Sequence, residues 1–176
     1  LKRESAPHLK HALSFGIATE MMVQYATAIG RPEMMKPVAK IWRAWPYDSK
    51  RHTMATQPTI DGGDHTPNDT YNMRIKGALS MWVVGKCVGD KELMARGRDC
   101  VVNSILPAMQ PAGYWYYRPM CPEGKLINGV MSSNHYDGFV KHMLAKLLLY
   151  PEWRKEKTVL KALRAGMDFD LKHLTV

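Results

Sequence analysis

The sequence carries a short phrase that returns about every 60 residues, between segments with helical apolar spacing. Gly30-Arg31-Pro32-Glu33 is echoed 59 residues later (89 − 30) by Gly89-Asp90-Lys91-Glu92. A third echo, Tyr150-Pro151-Glu152, places its glutamate 60 residues (152 − 92) after Glu92. A repeat of this length indicates stacked pairs of helices, none of which can bury its apolar face alone. The phrase falls where the two helices of a pair would be joined.

Apolar residues at every third or fourth position predict helices on both sides of each phrase. In the first helix, such residues recur at every fourth position and predict the face that packs on the core: Leu9, Leu13, Ile17, Met21 and Tyr25. The predicted helices are, in chain order, 9–25, 33–45, 75–83, 91–105, 140–148 and 152–173. The predicted fold class is therefore all-α, with three consecutive helical hairpins at about 6–45, 67–105 and 135–173 in a single domain, 1–176.

Residues that start and stop helices support these boundaries. Gly30 and Gly89 suit the left-handed conformation that ends a helix. Asp90 can cap the helix that follows it, and Thr66-Pro67-Asn68-Asp69 has the cap, proline and acid typical of a first helical turn. Pro151 prevents the fifth helix from continuing.

The links between hairpins are long and rich in glycine, proline, aspartate, asparagine and tyrosine. They cover 46–65 and 107–134. Functional residues are often carried by such loops on a rigid scaffold, so these links are where we expect a site. One short β-hairpin would fit within them, and 114–118 is the candidate strand.

The composition is that of a globular protein, with 45% hydrophobic and 23% charged residues. No apolar run is long enough to cross a membrane. The net charge of +9 favours an acidic partner. However, the basic residues of 141–146 and 154–164 alternate with apolar ones, as on solvated helix faces, and no nucleic-acid motif accompanies them. Nucleic acid is therefore not favoured as a partner.

The cysteines and histidines do not predict a metal site. Cys87, Cys100 and Cys121 lack the spacing of zinc ligands or of a disulfide framework, so we expect free thiols. Cys87 and Cys100 fall inside helical patterns and are predicted to be small core residues. The histidines show no HExxH spacing, and no glycine-rich phosphate loop follows a strand. We predict neither a metal nor another cofactor.

The run of hairpins resembles the α/α-toroid superfamily, which includes terpene cyclases, prenyltransferase-like barrels, six-hairpin glycoside hydrolases and polysaccharide lyases. This resemblance implies that first helices line the inside, second helices form the outer ring, and long links shape a cleft at one end. The segment LPAMQPAGYW, at 106–115, is similar to the QW motif of triterpene cyclases. In that motif the glutamine satisfies helix-end groups and the tryptophan packs over them. The acidic DxDD cluster of cyclases is absent.

A second similarity is to α/α-barrel lyases, and it rests on the start of the fifth helix. Asn134-His135-Tyr136 follows the aromatic loop 114–118, and Ser133-Asn134-His135 is the nearest wording to the lyase motif Asn-Asn-His. In those enzymes Asn, His, Arg and Tyr neutralise a uronate carboxylate and move its proton. The resemblance implies catalytic roles for Arg118, Asn134, His135 and Tyr136. The alternative is that Asn134 caps a helix, His135 is exposed and Tyr136 packs.

Further residues are candidates for binding a sugar. Aromatic rings offer apolar faces and polar tips to a sugar, and acidic residues are the acid and base of glycoside hydrolases. Asp64 and His65 precede the third helix, at the end of the barrel where the fifth helix also starts. The predicted substrate-binding residues are Asp64, His65, Tyr114, Trp115, Tyr117 and Asp137. The acids serve equally well as turn formers and helix caps.

Three functions follow, and the sequence leaves them open. The first is a carbohydrate-active α/α-toroid domain that binds, and could cleave, an anionic polysaccharide as a lyase or glycoside hydrolase. The second is a cyclase-like or prenyltransferase-like toroid that acts on an isoprenoid. The third is a non-catalytic helical-repeat subunit of a larger protein assembly. The first function would place the protein in the periplasm or outside the cell after processing, and the others in the cytoplasm.

Overall fold

The computed structural model describes residues 12–55, 70–116 and 134–174. These ranges are mostly helical, which confirms the all-α class. The helices are α1 Ala12–Ala28, α2 Lys36–Ala44, α3 Tyr71–Val88, α4 Lys91–Cys100, α5 Asn134–Leu147, α6 Pro151–Arg154 and α7 Lys157–Leu174. A 3₁₀ turn, Pro32–Met35, leads into α2, while a π-helical turn, Val101–Ile105, and a 3₁₀ turn, Leu106–Ala108, continue α4.

Helix α3 lies at the centre of the described fold and packs against α1, α4 and α5. Nearly every residue from Ile75 to Gly85 is buried, on all sides of the helix. Glycines allow the neighbouring helices to approach it closely. A Cβ added at Gly85 would lie 2.8 Å from the backbone N of Met94, and one at Gly97 would lie 2.5 Å from the carbonyl oxygen of Ala78.

These contacts also show the direction of the helices. The start of α1 lies beside the start of α3, since Gly16 is next to Lys76 and Ser80. The end of α1 lies beside the end of α3, where Thr27 hydrogen-bonds Cys87. Helices α1 and α3 therefore run in the same direction. Helix α4 runs back along α3, because its start contacts Gly85 and its middle contacts Ala78.

The predicted core face of α1 is wrong. Ile17, Met21 and Tyr25 are 46%, 66% and 60% exposed, although they have the most regular apolar spacing in the helix. The buried face instead carries smaller residues, among them Ala12, Gly16, Thr19 and Ala26. Helix α3 approaches α1 too closely for larger side chains to lie between them. The exposed positions therefore face away from α3.

Aromatic residues fill the space between α1 and α2. The rings of Phe15, Trp42 and Trp45 lie with centroids 4.9–5.8 Å apart. The indole N–H of Trp42 donates to the hydroxyl of Thr19 at 3.1 Å, so the buried ring has no unpaired donor. This cluster fixes the position of α2 against the first half of α1.

The predicted helix ends at Gly30 and Gly89 and the predicted cap at Asp90 are confirmed, whereas the predicted last helix, 152–173, is divided into α6 and α7. Gly30 and Gly89 have φ of 68° and 74°, and the Asp90 carboxylate accepts the backbone N–H of Leu93 at 3.1 Å. Helix α5 ends before Pro151, which begins α6. Helix α3 begins at Tyr71 after Thr70, and the predicted cap at 66–69 lies outside the described residues.

The predicted strand at 114–118 is wrong over its described part, since 114–116 form no strand. A short antiparallel pair lies instead in the first link, where β1, Tyr47–Asp48, pairs with β2, Thr53–Met54. Next to this pair, the indole N–H of Trp45 donates to the carbonyl of Ala55 at 2.6 Å. Trp45 and Met54 are both buried, so the polar residues between them must reverse direction. The two strands form on either side of that reversal.

Two described cysteines are free thiols, as predicted. Cys100 is fully buried in the core, whereas Cys87 is only partly buried, and Cys121 lies outside the described residues. Burial raises the pKa of the Cys87 thiol, which disfavours a reactive thiolate. None of the helices within the described ranges has the length and apolar character needed to span a membrane.

Close packing at Gly97 gives a testable prediction. In Gly97→Ala the new methyl group would collide with the backbone of α3, so we expect the free energy of unfolding to fall by about 1–3 kcal/mol. Gly138→Ala is the matched control, because no described atom lies within 4 Å of its added Cβ. That variant should be neutral or more stable by about 0.5–1 kcal/mol, since alanine favours a helix over glycine. Urea denaturation measures both; equal effects would contradict close α3–α4 packing.

Candidate functional site

The loop that follows α4 folds back onto the end of its own helix. The backbone N–H of Gln110 donates to the carbonyl of Tyr114 at 2.8 Å, and Gly113 turns the chain with a φ of 98°. The indole N–H of Trp115 donates to the carbonyl of Ile105 at 2.7 Å. Carbonyls at the end of a helix lack partners within the helix, so Trp115 supplies one of the missing donors.

Gly113 also brings this loop against α7. A Cβ at this position would lie 2.2 Å from the carbonyl oxygen of Ala165, so only glycine fits. The adjacent Tyr114 ring then packs on Phe169 of α7, with centroids 5.0 Å apart, and edge-on against Tyr116 at 5.5 Å. The loop is therefore held between the end of α4 and the C-terminal half of α7.

A buried carboxylate joins the loop to the first turn of α5. Asp137 is 4% exposed, and its Oδ1 accepts the backbone N–H of Trp115 at 2.9 Å. Its other oxygen lies 2.5 Å from Nζ of Lys141, one helical turn later. Lys141 also pairs with Asp170 of α7 at 2.7 Å. The loop, α5 and α7 thus meet at one group of charges.

The group around Asp137 is negatively charged overall, because two carboxylates surround one ammonium. Gly166 makes the arrangement possible: a Cβ there would lie 2.7 Å from Cε of Lys141. The ammonium group also lies 5.2 Å from the centre of the Phe169 ring. Lys141 is 7% exposed, so its predicted place on a solvated helix face is wrong.

The structure brings several predicted site residues together. Tyr114 is partly exposed beside α7, Tyr136 is partly buried in the first turn of α5, and Asp137 accepts a hydrogen bond from the loop. Tyr116, which was not among the predicted site residues, lies against Tyr114. The hydrogen bond with Tyr116, helped by burial, raises the pKa of the Tyr114 hydroxyl. Like any tyrosine, this residue is protonated at neutral pH, so its hydroxyl is a hydrogen-bond donor.

Other predicted site residues are not described. Asn134 and His135 are the first residues of α5, and their side chains lie outside the described part of the structure. The same is true of Asp64, His65, Tyr117 and Arg118 as whole residues. Their roles stay predictions.

Burial speaks against a direct role for two of the predicted binding residues. Trp115 is 0% exposed, and its indole caps a helix end, so its ring offers no face to a sugar. Asp137 is buried with both oxygens occupied. Both residues position the neighbouring tyrosines rather than meeting a ligand.

Lys141 and Asp170 are the residues of this group that the sequence reasoning missed. Asp137 and Lys141 are four positions apart in a helix, which is the spacing of a stabilising ion pair. That signal was present in the sequence. The contact with Asp170 was not, because it depends on how α7 crosses α5.

A second polar group lies on the outer side of α4. The Asp99 carboxylate accepts a hydrogen bond from the Tyr47 hydroxyl and another, at 2.7 Å, from the side-chain amide of Asn103. It also lies 3.0 Å from Nδ1 of His52. Burial would raise the pKa of Asp99, but these partners outweigh it and lower the pKa. Burial and the neighbouring carboxylate raise the pKa of Tyr47. With its acceptors satisfied, Asp99 anchors the strand pair to α4.

The described residues offer no ready metal site. In 12–55, 70–116 and 134–174, no three His, Cys, Asp or Glu side chains lie close enough to hold an ion. Comparison with protein-family models, with curated proteins and with solved structures gives no match.

Asp137 should matter far more to stability than Asp170. In Asp137→Ala the buried Lys141 loses a partner and the N–H of Trp115 loses its acceptor, so we expect a loss of about 3 kcal/mol in the free energy of unfolding. Asp170 is 39% exposed, and Asp170→Ala should cost about 1 kcal/mol or less. Urea denaturation of both variants tests this order. Equal losses would show that Asp137 does not hold the loop on α5.

Proposed function

We propose that this chain is part of an α/α toroid that binds an anionic polysaccharide at the start of α5. The observation that carries the proposal is the bond between Trp115 and Asp137. It fixes the aromatic loop against the helical turn that contains Tyr136 and follows His135. Aromatic faces and hydroxyl groups are thereby held beside the helical turn that includes position 135, and such groups are suited to a sugar.

The helix directions support the toroid. Helices α1 and α3 run the same way, α4 returns along α3, and the tight turns at Gly30 and Gly89 lie at the same end. The long links lead into α3 and α5 from the opposite end. In a toroid this is the end that carries the cleft, which agrees with the position of the aromatic loop.

The charges show what the proposal requires. The described group of Asp137, Lys141 and Asp170 carries one net negative charge, which would repel a uronate. The positive charge must come from residues such as Arg118, at the edge of the aromatic loop. The overall charge of +9 is of the correct sign for the partner.

Cleavage would be a β-elimination. A base removes the proton from the ring carbon next to the neutralised carboxylate. The electrons of that C–H bond form a double bond in the ring as the bond from the ring to the glycosidic oxygen breaks. An acid then protonates the leaving oxygen. We assign the base to His135 and the acid to Tyr114, whose hydroxyl is protonated at neutral pH like that of any tyrosine. Arg118 and Asn134 would neutralise the carboxylate.

Uronate oligomers test this assignment directly, since the unsaturated product absorbs in the ultraviolet. The unmodified chain should bind the oligomers in calorimetry and release that product. His135→Ala and Tyr114→Phe should each slow its formation by about 10²-fold or more while binding persists. His142→Ala is the control, because His142 is exposed on the same helix and should leave the rate unchanged. Absence of both binding and product would refute the proposal.

A non-catalytic role in a larger assembly is the second candidate, and the exposed face of α1 favours it. Ile17, Met21 and Tyr25 form an apolar stripe four residues apart on an accessible surface. In helical-repeat proteins such a face is covered by the next repeat. The occupant we propose is therefore another helical hairpin of the same architecture.

Light scattering coupled to size exclusion tests this role. If the stripe is an interface between repeats, the isolated chain should self-associate, and Met21→Glu should shift it to a monomer. Lys40→Glu, on an exposed part of α2, is the control and should leave association unchanged. A monomer at all concentrations would count against the assembly role.

A further inference from the structure

A groove lies between the C-terminal halves of α1 and α3, away from the start of α5. It encloses about 700 Å³, and Val23, Ala28 and Val83 contribute apolar walls along the two helices. Tyr150, which follows α5, closes one side. Pockets that hold small organic molecules usually have about 300–1,000 Å³. The groove is therefore large enough for such a ligand.

The groove is continuous with a smaller recess that has charged walls. Glu20 and Lys146 line this recess, and Tyr150 borders both spaces. Oε2 of Glu20 lies 2.7 Å from Nζ of Lys76 and 2.9 Å from Nζ of Lys146. One carboxylate thus serves two ammonium groups. Among the residues that the structure describes, this group of Glu20, Lys76 and Lys146 holds one positive charge in excess.

The excess charge is accessible at Lys146 rather than at Lys76. The Lys76 side chain is only 4% exposed, whereas that of Lys146 is 33% exposed and lines the recess. Burial alone would raise the pKa of Glu20, but the two lysines outweigh it and lower the pKa, so the carboxylate is charged. The nearby Lys86 does not add to the excess, because it pairs with Glu152.

One buried acceptor in the recess is also unsatisfied. Oε1 of Glu20 has no hydrogen-bond partner among the described residues. A buried carboxylate oxygen without a donor is costly, so the charge of Glu20 depends on the two lysines at Oε2. The recess thus offers one accessible cation, that of Lys146, next to an apolar groove.

We propose that this groove binds a small amphiphile with an apolar body and a single carboxylate, which pairs with Lys146. The carboxylate supplies the missing negative charge, and the apolar body lies between Val23, Val83 and Tyr150. This site is separate from the proposed sugar site near Asp137, because residues 137 and 146 are about 14 Å apart along α5.

Titration calorimetry of the full chain with dodecanoate, below its micellar concentration, tests the ligand class. Dodecanoate should bind, whereas dodecyltrimethylammonium, which has the same chain and the opposite charge, should not. The Cys87 thiol lines the groove and provides a second readout. Bound dodecanoate should slow its alkylation, followed by mass spectrometry of the Cys87 peptide.

Two variants test the position. Lys146→Gln should weaken dodecanoate binding about tenfold or more, since it removes a charge-assisted contact. Lys157→Gln, at the exposed start of α7, should leave binding unchanged. Ala28→Trp should block binding by filling the groove from an exposed position, whether or not Lys146→Gln folds well. Circular dichroism checks that each variant is folded.

Any of three results would overturn the proposal. The first is that dodecanoate does not bind the unmodified chain, and the second is that dodecyltrimethylammonium binds equally well. The third is that Lys146→Gln and Ala28→Trp are both folded and retain the original affinity for dodecanoate. A polysaccharide that competes with dodecanoate would likewise place its site here and overturn the separation of the two sites.

Discussion

The close approach of α1 and α4 to α3 is the constraint on which the rest of the structure depends. Glycines at 85 and 97 bring the backbones of α3 and α4 together at distances that any side chain would prevent, and Gly16 allows α1 to contact the side chains of Lys76 and Ser80. As a result α3 is enclosed, and its polar residues are buried with it. Ser80 donates to carbonyls of Lys76 and Gly16, while Lys76 requires the carboxylate of Glu20. The buried charge of Glu20 is therefore a consequence of helix packing.

Local signals in the sequence were sufficient to predict where the helices end. Gly30, Gly89 and Asp90 act through their own backbone and the next turn, so their roles do not depend on distant residues. The buried face of α1 could not be predicted in this way. Its most regular apolar positions, such as Met21, point outward because the small residues on another face permit closer packing with α3. Periodicity shows that a helix is amphipathic but does not reveal which neighbour it meets.

In the candidate site, too, local features were predictable from the sequence and long-range packing was not. Resemblance and residue chemistry were enough to name Tyr114, Tyr136 and Asp137 as candidates, since one link leads directly into α5. The sequence did not show that Trp115 would be enclosed or that Lys141 would be buried between two carboxylates. Both facts depend on how α7 packs across α5, and Gly113 and Gly166 permit that packing only in the folded chain. Roles that need an exposed side chain are therefore the least predictable from spacing.

Two lysines of α5 illustrate how the same helix can present opposite charges at its ends. Lys141 has two carboxylate partners, Asp137 and Asp170, whereas Lys146 shares the single carboxylate of Glu20 with Lys76. The first group is negative overall and the second is positive. No described residue of either group neutralises its net charge. The start of α5 therefore favours a cationic ligand group and the end of α5 an anionic one. A carboxylate suits the end near Lys146 directly, while an anionic sugar at the start of α5 depends on added positive charge from the link that contains Arg118.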